Sequence, residues 1–151
     1  MHAPDLACGV MLLSGISVIA IEGRALALAG PPGCGKSSLA LALIDRGAVL
    51  IGDDGVALER VDDTVLASPA SETAGMIELR GIGIARMETA KAVPLALILD
   101  LGSQGERLPG EAATRDILGC AIPALPFESG TLAPAIRAEY ALRMHGLTVD
   151  G

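Results

Sequence analysis

Residues 25–44 read Ala25-Leu26-Ala27-Leu28-Ala29-Gly30-Pro31-Pro32-Gly33-Cys34-Gly35-Lys36-Ser37-Ser38-Leu39-Ala40-Leu41-Ala42-Leu43-Ile44. An apolar run of strand length leads in, residues 38–44 lead out at helical spacing, and residues 30–37 between them complete the pattern G-x-x-x-x-G-K-[ST]. Strand, glycine-rich turn and helix start make backbone N–H groups and a helix N-terminus converge on a phosphate. Gly33 and Gly35 let the backbone wrap without a Cβ in the way. Lys36 is placed to reach β- and γ-phosphates, and the Ser37 hydroxyl to ligate Mg²⁺. The residues expected around the phosphates are Gly30, Pro31, Pro32, Gly33, Cys34, Gly35, Lys36, Ser37 and Ser38. The pattern predicts binding of a nucleotide or another polyphosphate.

A chain of 151 residues fits one domain, 1–151, and its composition is 51% apolar with one Phe, one Tyr and no Trp. The core must therefore be built from Leu, Ile, Val and Ala, and no aromatic platform exists on which single-stranded nucleic acid could stack. A net charge of −7 argues against nucleic acid and anionic membranes as partners. An acidic protein that holds a polyphosphate needs cations, so Mg²⁺ is implied. Cys8, Cys34 and Cys120 form neither a disulfide framework nor a zinc pattern and suit a reducing cytoplasm. The uncharged stretch 6–21 is too short to span a bilayer, is interrupted by Gly9, Ser14 and Gly15, and follows Asp5 rather than a basic region. It reads as neither signal peptide nor membrane helix.

Residues 16–21 and 24–29 read as strands joined by Glu22-Gly23, an antiparallel hairpin. The strand that feeds the phosphate loop then pairs with its immediate predecessor, which a purely parallel βαβ sheet would not allow. A helix over 37–46 stops at Gly47, and a buried strand over 48–51 ends in Gly52-Asp53-Asp54. A second hairpin spans 56–61 and 64–67 around Asp62-Asp63, followed by a loop of small residues over 68–75. Then come the run 76–84, a buried strand over 94–100, a mobile loop over 102–110, and helices near 111–118 and 132–145, the latter closed by Gly146. The fold class is α/β with a mixed sheet.

Phosphoryl transfer needs a metal-binding carboxylate and a group that orients or deprotonates the nucleophile. Asp53 and Asp54 follow the first strand after the phosphate-loop helix, and neighbours on extended chain face opposite ways. One can then address metal and the other the nucleophile. Asp100, behind an apolar strand, is the position expected of the Mg²⁺-holding acid in ordinary P-loop ATPases. Glu78 and Arg80 lie in Glu-x-Arg-Gly-x-Gly, and Arg107 lies in a glycine-flanked loop suited to closing over a phosphate. His2 and His145 sit near the chain ends as bystanders.

Together these segments resemble the catalytic domain of HPr kinase/phosphorylase, in a short form without the N-terminal regulatory domain. The matching stretches are Glu22-Gly23-Arg24-Ala25, the phosphate loop, Leu39-Ala40-Leu41-Ala42-Leu43-Ile44-Asp45-Arg46-Gly47 and Ile51-Gly52-Asp53-Asp54. Gly75-Met76-Ile77-Glu78-Leu79-Arg80-Gly81-Ile82-Gly83, the most distinctive, and Glu106-Arg107-Leu108-Pro109 complete a match in family order over about residues 15–126. The resemblance implies a fold like the nucleotide domain of phosphoenolpyruvate carboxykinase and a bifunctional enzyme, usually a hexamer. Such an enzyme phosphorylates a serine on an HPr-like phosphocarrier with ATP or pyrophosphate, and uses inorganic phosphate to reverse the step. Carried over by position, Lys36 and Ser37 hold phosphates and Mg²⁺, and one of Asp53 and Asp54 serves as base or acid. Asp53 and Glu78 join Ser37 at the metal, and Arg107 binds phosphate.

Two departures bear on activity. The family commonly carries a His fifteen residues ahead of the first loop glycine, where this chain has Gly15, and a Ser at the third loop position, where it has Pro32. Phosphate binding is expected to survive both, whereas catalytic power is expected to fall, and the short C-terminus to weaken docking of the protein substrate. Two other readings compete: a catalytically weakened nucleotide- or pyrophosphate-binding regulatory module, supported by Gly15, and a generic P-loop ATPase using Asp100.

Overall fold

The computed structural model describes residues 9–70, 74–79, 81–102, 113–128, 130 and 133–148. Its strands are β1 (Val10–Ser14), β2 (Ser17–Ile21), β3 (Arg24–Ala29), β4 (Val49–Gly52), β5 (Gly55–Val61) and β6 (Thr64–Pro69). They continue with β7 (Met76–Leu79), β8 (Gly83–Arg86), β9 (Val93–Leu101), β10 (Ala113–Ile117) and β11 (Cys120–Phe127). Helix α1 (Lys36–Asp45) follows β3, and α2 (Pro134–His145) follows β11.

The large sheet runs β1-β5-β6-β9-β3-β2-β4, with β11 added to β9 and β10 to β11. The expected β2–β3 hairpin is present, with Glu22 and Gly23 both at positive φ in its two-residue turn. β9 is the junction. It pairs with β6 antiparallel at Val93 and Pro94, with β3 parallel from Leu95, and with β11 parallel from Ile98. The sheet is mixed, as the hairpin required.

Alternation along β3 explains why it is apolar on every residue from Ala25 to Ala29. Ala25 and Ala27 of β3 face one cluster with Val56, Leu58, Val65 and Ala67 of the β5–β6 layer, while Leu26 and Leu28 face another with Leu39, Leu43, Ala138 and Leu142 of the two helices. Three layers result: helices, a central sheet, and the β1-β5-β6 layer over its other face. Arg46, just past α1, donates from Nε and a terminal nitrogen to the Glu139 carboxylate of α2, each at 2.9 Å. The bond and charge of Glu139 raise the Arg46 pKa further, but this exposed pair adds little stability. The apolar interior carries the fold. Leu97, fully buried in β9, tests this: Leu97→Ala is expected to cost about 2–5 kcal/mol in urea denaturation.

One segment differs from expectation, and the sequence leaves two others unassigned. The region read as a helix near 111–118 contains strand β10, in a hairpin with β11 through Leu118 and Gly119, both at positive φ. β10 exposes its first four residues, so it lacks the alternation that marks a half-buried strand. Pro123 and Pro126 are accommodated in β11 because each sits where one edge of the ladder is free. Pro123 precedes the first β9 partner, Ala124, and Pro126 lies beyond the last β10 partner, also Ala124. The run 76–84 is divided: β7 and β8 form a separate antiparallel pair, closed by the Ile82 N–H donating to the Leu79 carbonyl at 2.9 Å. The expected loop over 102–110 falls almost entirely outside the described residues.

Candidate active site

β3 ends at Ala29, and the chain turns sharply at Gly30. A Cβ on Gly30 would fall on the Leu101 carbonyl oxygen, and its φ of 144° is one that side-chain-bearing residues avoid. The start of the phosphate loop is therefore seated against the end of β9. The Cys34 N–H donates to the Pro31 carbonyl at 3.3 Å, Gly35 precedes α1 with φ 100°, and the helix begins at Lys36. Pro31, Pro32, Gly33 and Ser38 are exposed along this turn. The Lys36 Nζ donates to the carbonyls of Gly30 at 2.6 Å and Pro31 at 3.1 Å, so the ammonium lies over the loop itself.

Asp53 follows β4 directly and comes to the head of α1. The Ser37 Oγ donates to its Oδ1 at 2.7 Å, and the Ser17 Oγ donates to the same oxygen at 2.9 Å. The Glu78 backbone N–H lies 3.4 Å from Oδ2. Three segments that are far apart in sequence thus meet on one carboxylate. The backbone turns here: Asp54 is exposed and has a φ of 66°, so the placement of the two aspartates is set by this bend and not by the alternation of an extended strand. The Asp54 carbonyl accepts the Gly15 N–H at 3.0 Å.

Asp100 is next to Ala29 in the β3–β9 register, at the loop's edge, but its carboxylate is bound to Arg115 at 2.7 Å. An Asp committed to an ion pair is poorly placed to serve the metal of an ordinary ATPase. Glu78 is exposed on β7, and Arg80 and Arg107 lie outside the described residues. Ser17 is the residue sequence reasoning missed. Its only signal is one hydroxyl in an otherwise apolar strand.

The donor set suits Mg²⁺. Hydroxyl and carboxylate oxygens are hard ligands, and Mg²⁺ is usually held by one or two carboxylates plus substrate phosphates rather than by a full protein cage. Among the described residues no group of three or more His, Cys, Asp or Glu side chains could hold a metal ion. Ser37 and Asp53 can hold one together with a nucleotide.

Fold and site define a P-loop α/β protein whose mixed sheet carries an aspartate pair beside the phosphate loop. More specifically, residues 11–136 match the HPr Serine kinase C-terminal domain, and the chain belongs to that family. An HPr kinase/phosphorylase from Acidovorax sp. is 37% identical over 113 residues, 66% of this chain and 36% of its own length. Another from Chloroherpeton thalassium is 29% identical over 149 residues, 86% of this chain and 44% of its own length. The chain thus spans less than half of either relative. The structure of the Hpr(Ser) kinase/phosphatase from Coxiella burnetii superposes with a TM-score of 0.77 at 26% identity, covering 89% of this chain and 95% of that one. Among the described residues, no helix is long and apolar enough to cross a membrane.

Proposed function

We propose that residues 1–151 form the catalytic domain of a cytoplasmic protein-serine kinase/phosphorylase acting on an HPr-like phosphocarrier, with ATP or pyrophosphate as donor. The observation that carries this reading is the 2.7 Å bond from Ser37 to Asp53, which joins the phosphate loop to the aspartate pair rather than to Asp100. Lys36, Ser37 and the loop N–H groups cradle the phosphates. Ser37 and Asp53, with Glu78 as a further carboxylate, would hold Mg²⁺, which would supply screening of the charge that develops during transfer.

Of the doublet, Asp53 lies against the loop serine, whereas Asp54 faces solvent. Asp53 is therefore the group placed to accept the proton of the acceptor serine. The serine oxygen bonds to the terminal phosphorus of the donor, the bridging P–O bond breaks, and its electron pair leaves on ADP or inorganic phosphate. In reverse, inorganic phosphate attacks the phosphoserine, pyrophosphate forms, and Asp53 returns the proton to the serine. Arg107 is assigned phosphate binding by the family resemblance alone. The domain works as a homo-oligomer, a hexamer by family resemblance, without nucleic-acid or membrane partners. Incubation with γ-labelled ATP and phosphocarriers from the same genome tests the reading: label on a serine supports it, and hydrolysis without any acceptor overturns it.

Gly15 favours a second reading, a module that binds nucleotide and transfers slowly. The space beside it is open, since a Cβ there would meet nothing within 4 Å. Its φ of 74° makes Gly15→His cost about 1–2 kcal/mol of stability, although His tolerates this region better than most residues. The added imidazole is expected to raise the transfer rate with little change in nucleotide affinity. A full family-like rate in the unmodified protein would dismiss this reading, and no transfer by either form would establish it.

A further inference from the structure

We infer that Ser17 is a positioning residue for the phosphate site: it locks the Asp53 carboxylate, and through it the Ser37 hydroxyl. Ser17 is 1% exposed and is the one buried polar or charged residue among those described. A buried hydroxyl costs stability unless it is hydrogen-bonded, and this one spends its proton on the Asp53 Oδ1 at 2.9 Å. Its placement is built into the sheet. Ser17 pairs with Leu28, at the end of β3 that opens into the phosphate loop. On its other side Val18 pairs with Gly52 and Ile19 with Leu50, so the β2–β4 register shifts between them. Such an irregularity beside a site re-aims side chains. Here it brings Asp53, one residue past Gly52, alongside Ser17.

The chemistry follows from counting donors and lone pairs. A hydroxyl has one proton and two acceptor lone pairs. With the Ser37 proton on Oδ1, its lone pairs are left for a cation. Ser17 supplies the second donor to Oδ1, so the carboxylate cannot rotate without breaking a part-buried bond to β2. Oδ2 stays turned towards the Glu78 N–H and the open side of the site. Ser17 reaches neither phosphate nor acceptor, and it acts only through Asp53. The inference rests on the proposed Mg²⁺-dependent phosphate site, but it does not require a protein acceptor.

Ser17→Val and Ser17→Thr isolate the hydroxyl, because both are β-branched, similar in volume and suited to a buried strand. ADP binding is measured by calorimetry in EDTA and across a MgCl₂ titration, with thermal melting to show that both variants fold. Ser17→Val is expected to bind ADP in EDTA as the parent does, yet to need about tenfold more Mg²⁺ for half-maximal enhancement of affinity, the size of one lost bond to a charged acceptor. Ser17→Thr is expected to restore the parental Mg²⁺ requirement. Equal Mg²⁺ titrations for the Val and Thr variants would overturn the inference. So would a loss of ADP binding in EDTA by the Val variant, since the serine would then be supporting the loop rather than the carboxylate. If the parent binds Mg²⁺–ADP but labels no phosphocarrier, the proposed enzyme function fails and this test still stands.

Discussion

Lys36→Ala is expected to abolish useful binding of ATP and pyrophosphate alike. The ammonium is the one long cation in the phosphate loop, and it lies 2.6 Å from the Gly30 carbonyl and 3.1 Å from that of Pro31. Alanine removes the charge that meets the phosphates and also the tether that holds the loop over itself. Two lost charge-assisted bonds at about 1.5–3 kcal/mol each lower affinity at least about a hundredfold. Both donors should suffer equally, because the cradle grips phosphate and no aromatic side chain is available in the loop to grip a base. Calorimetry with each ligand, beside a melting curve showing an intact fold, makes the check. Tight ATP binding by a folded Lys36→Ala protein would remove the phosphate-loop assignment.

Asp53→Asn is expected to lower phosphoryl transfer by about 10²–10⁴-fold, the usual range for loss of a general base. The amide keeps one acceptor oxygen for the Ser17 and Ser37 hydroxyls but cannot take a proton from an incoming serine. Asp54→Asn should do less, since that side chain is exposed and only its backbone carbonyl is tied down, by Gly15. Asp100→Asn should do least to transfer, because what it loses is the ion pair with Arg115. Rates measured side by side on the phosphocarrier rank the three. Should Asp100→Asn prove the most damaging, the proposed kinase mechanism fails.

Much of this was legible in the sequence because the decisive signals are local. Glu22-Gly23 specifies a two-residue turn, and that turn alone forces an antiparallel neighbour on β3 and hence a mixed sheet. The glycines and Lys36-Ser37 mark the phosphate loop, and Gly52-Asp53-Asp54 marks the strand end opposite it. What stayed hidden is decided by partners distant in sequence. β10 forms because β11, itself held on β9, offers it an edge, not because its own residues alternate. The hairpin split of β7 and β8 depends on positive-φ glycines at 81 and 83 that a linear reading treats as part of one run. The hydroxyl of Ser17 acquires meaning only when Asp53, 36 residues away, is brought beside it.

The seating of Gly30 against the Leu101 carbonyl has a consequence for biosynthesis. The strand that pairs with β3 in parallel, and the backbone oxygen on which the loop's first glycine rests, leave the ribosome about 70 residues after the phosphate loop. Synthesis at about 5–20 residues per second leaves the nascent P-loop without its floor for several seconds. The phosphate loop therefore reaches its seated form only once residue 101 has emerged. Until then Leu26, Leu28 and α1 lack the β9 leucines and, later still, the α2 side of their cluster, so this interval is the one in which a nascent chain most needs shielding from its neighbours.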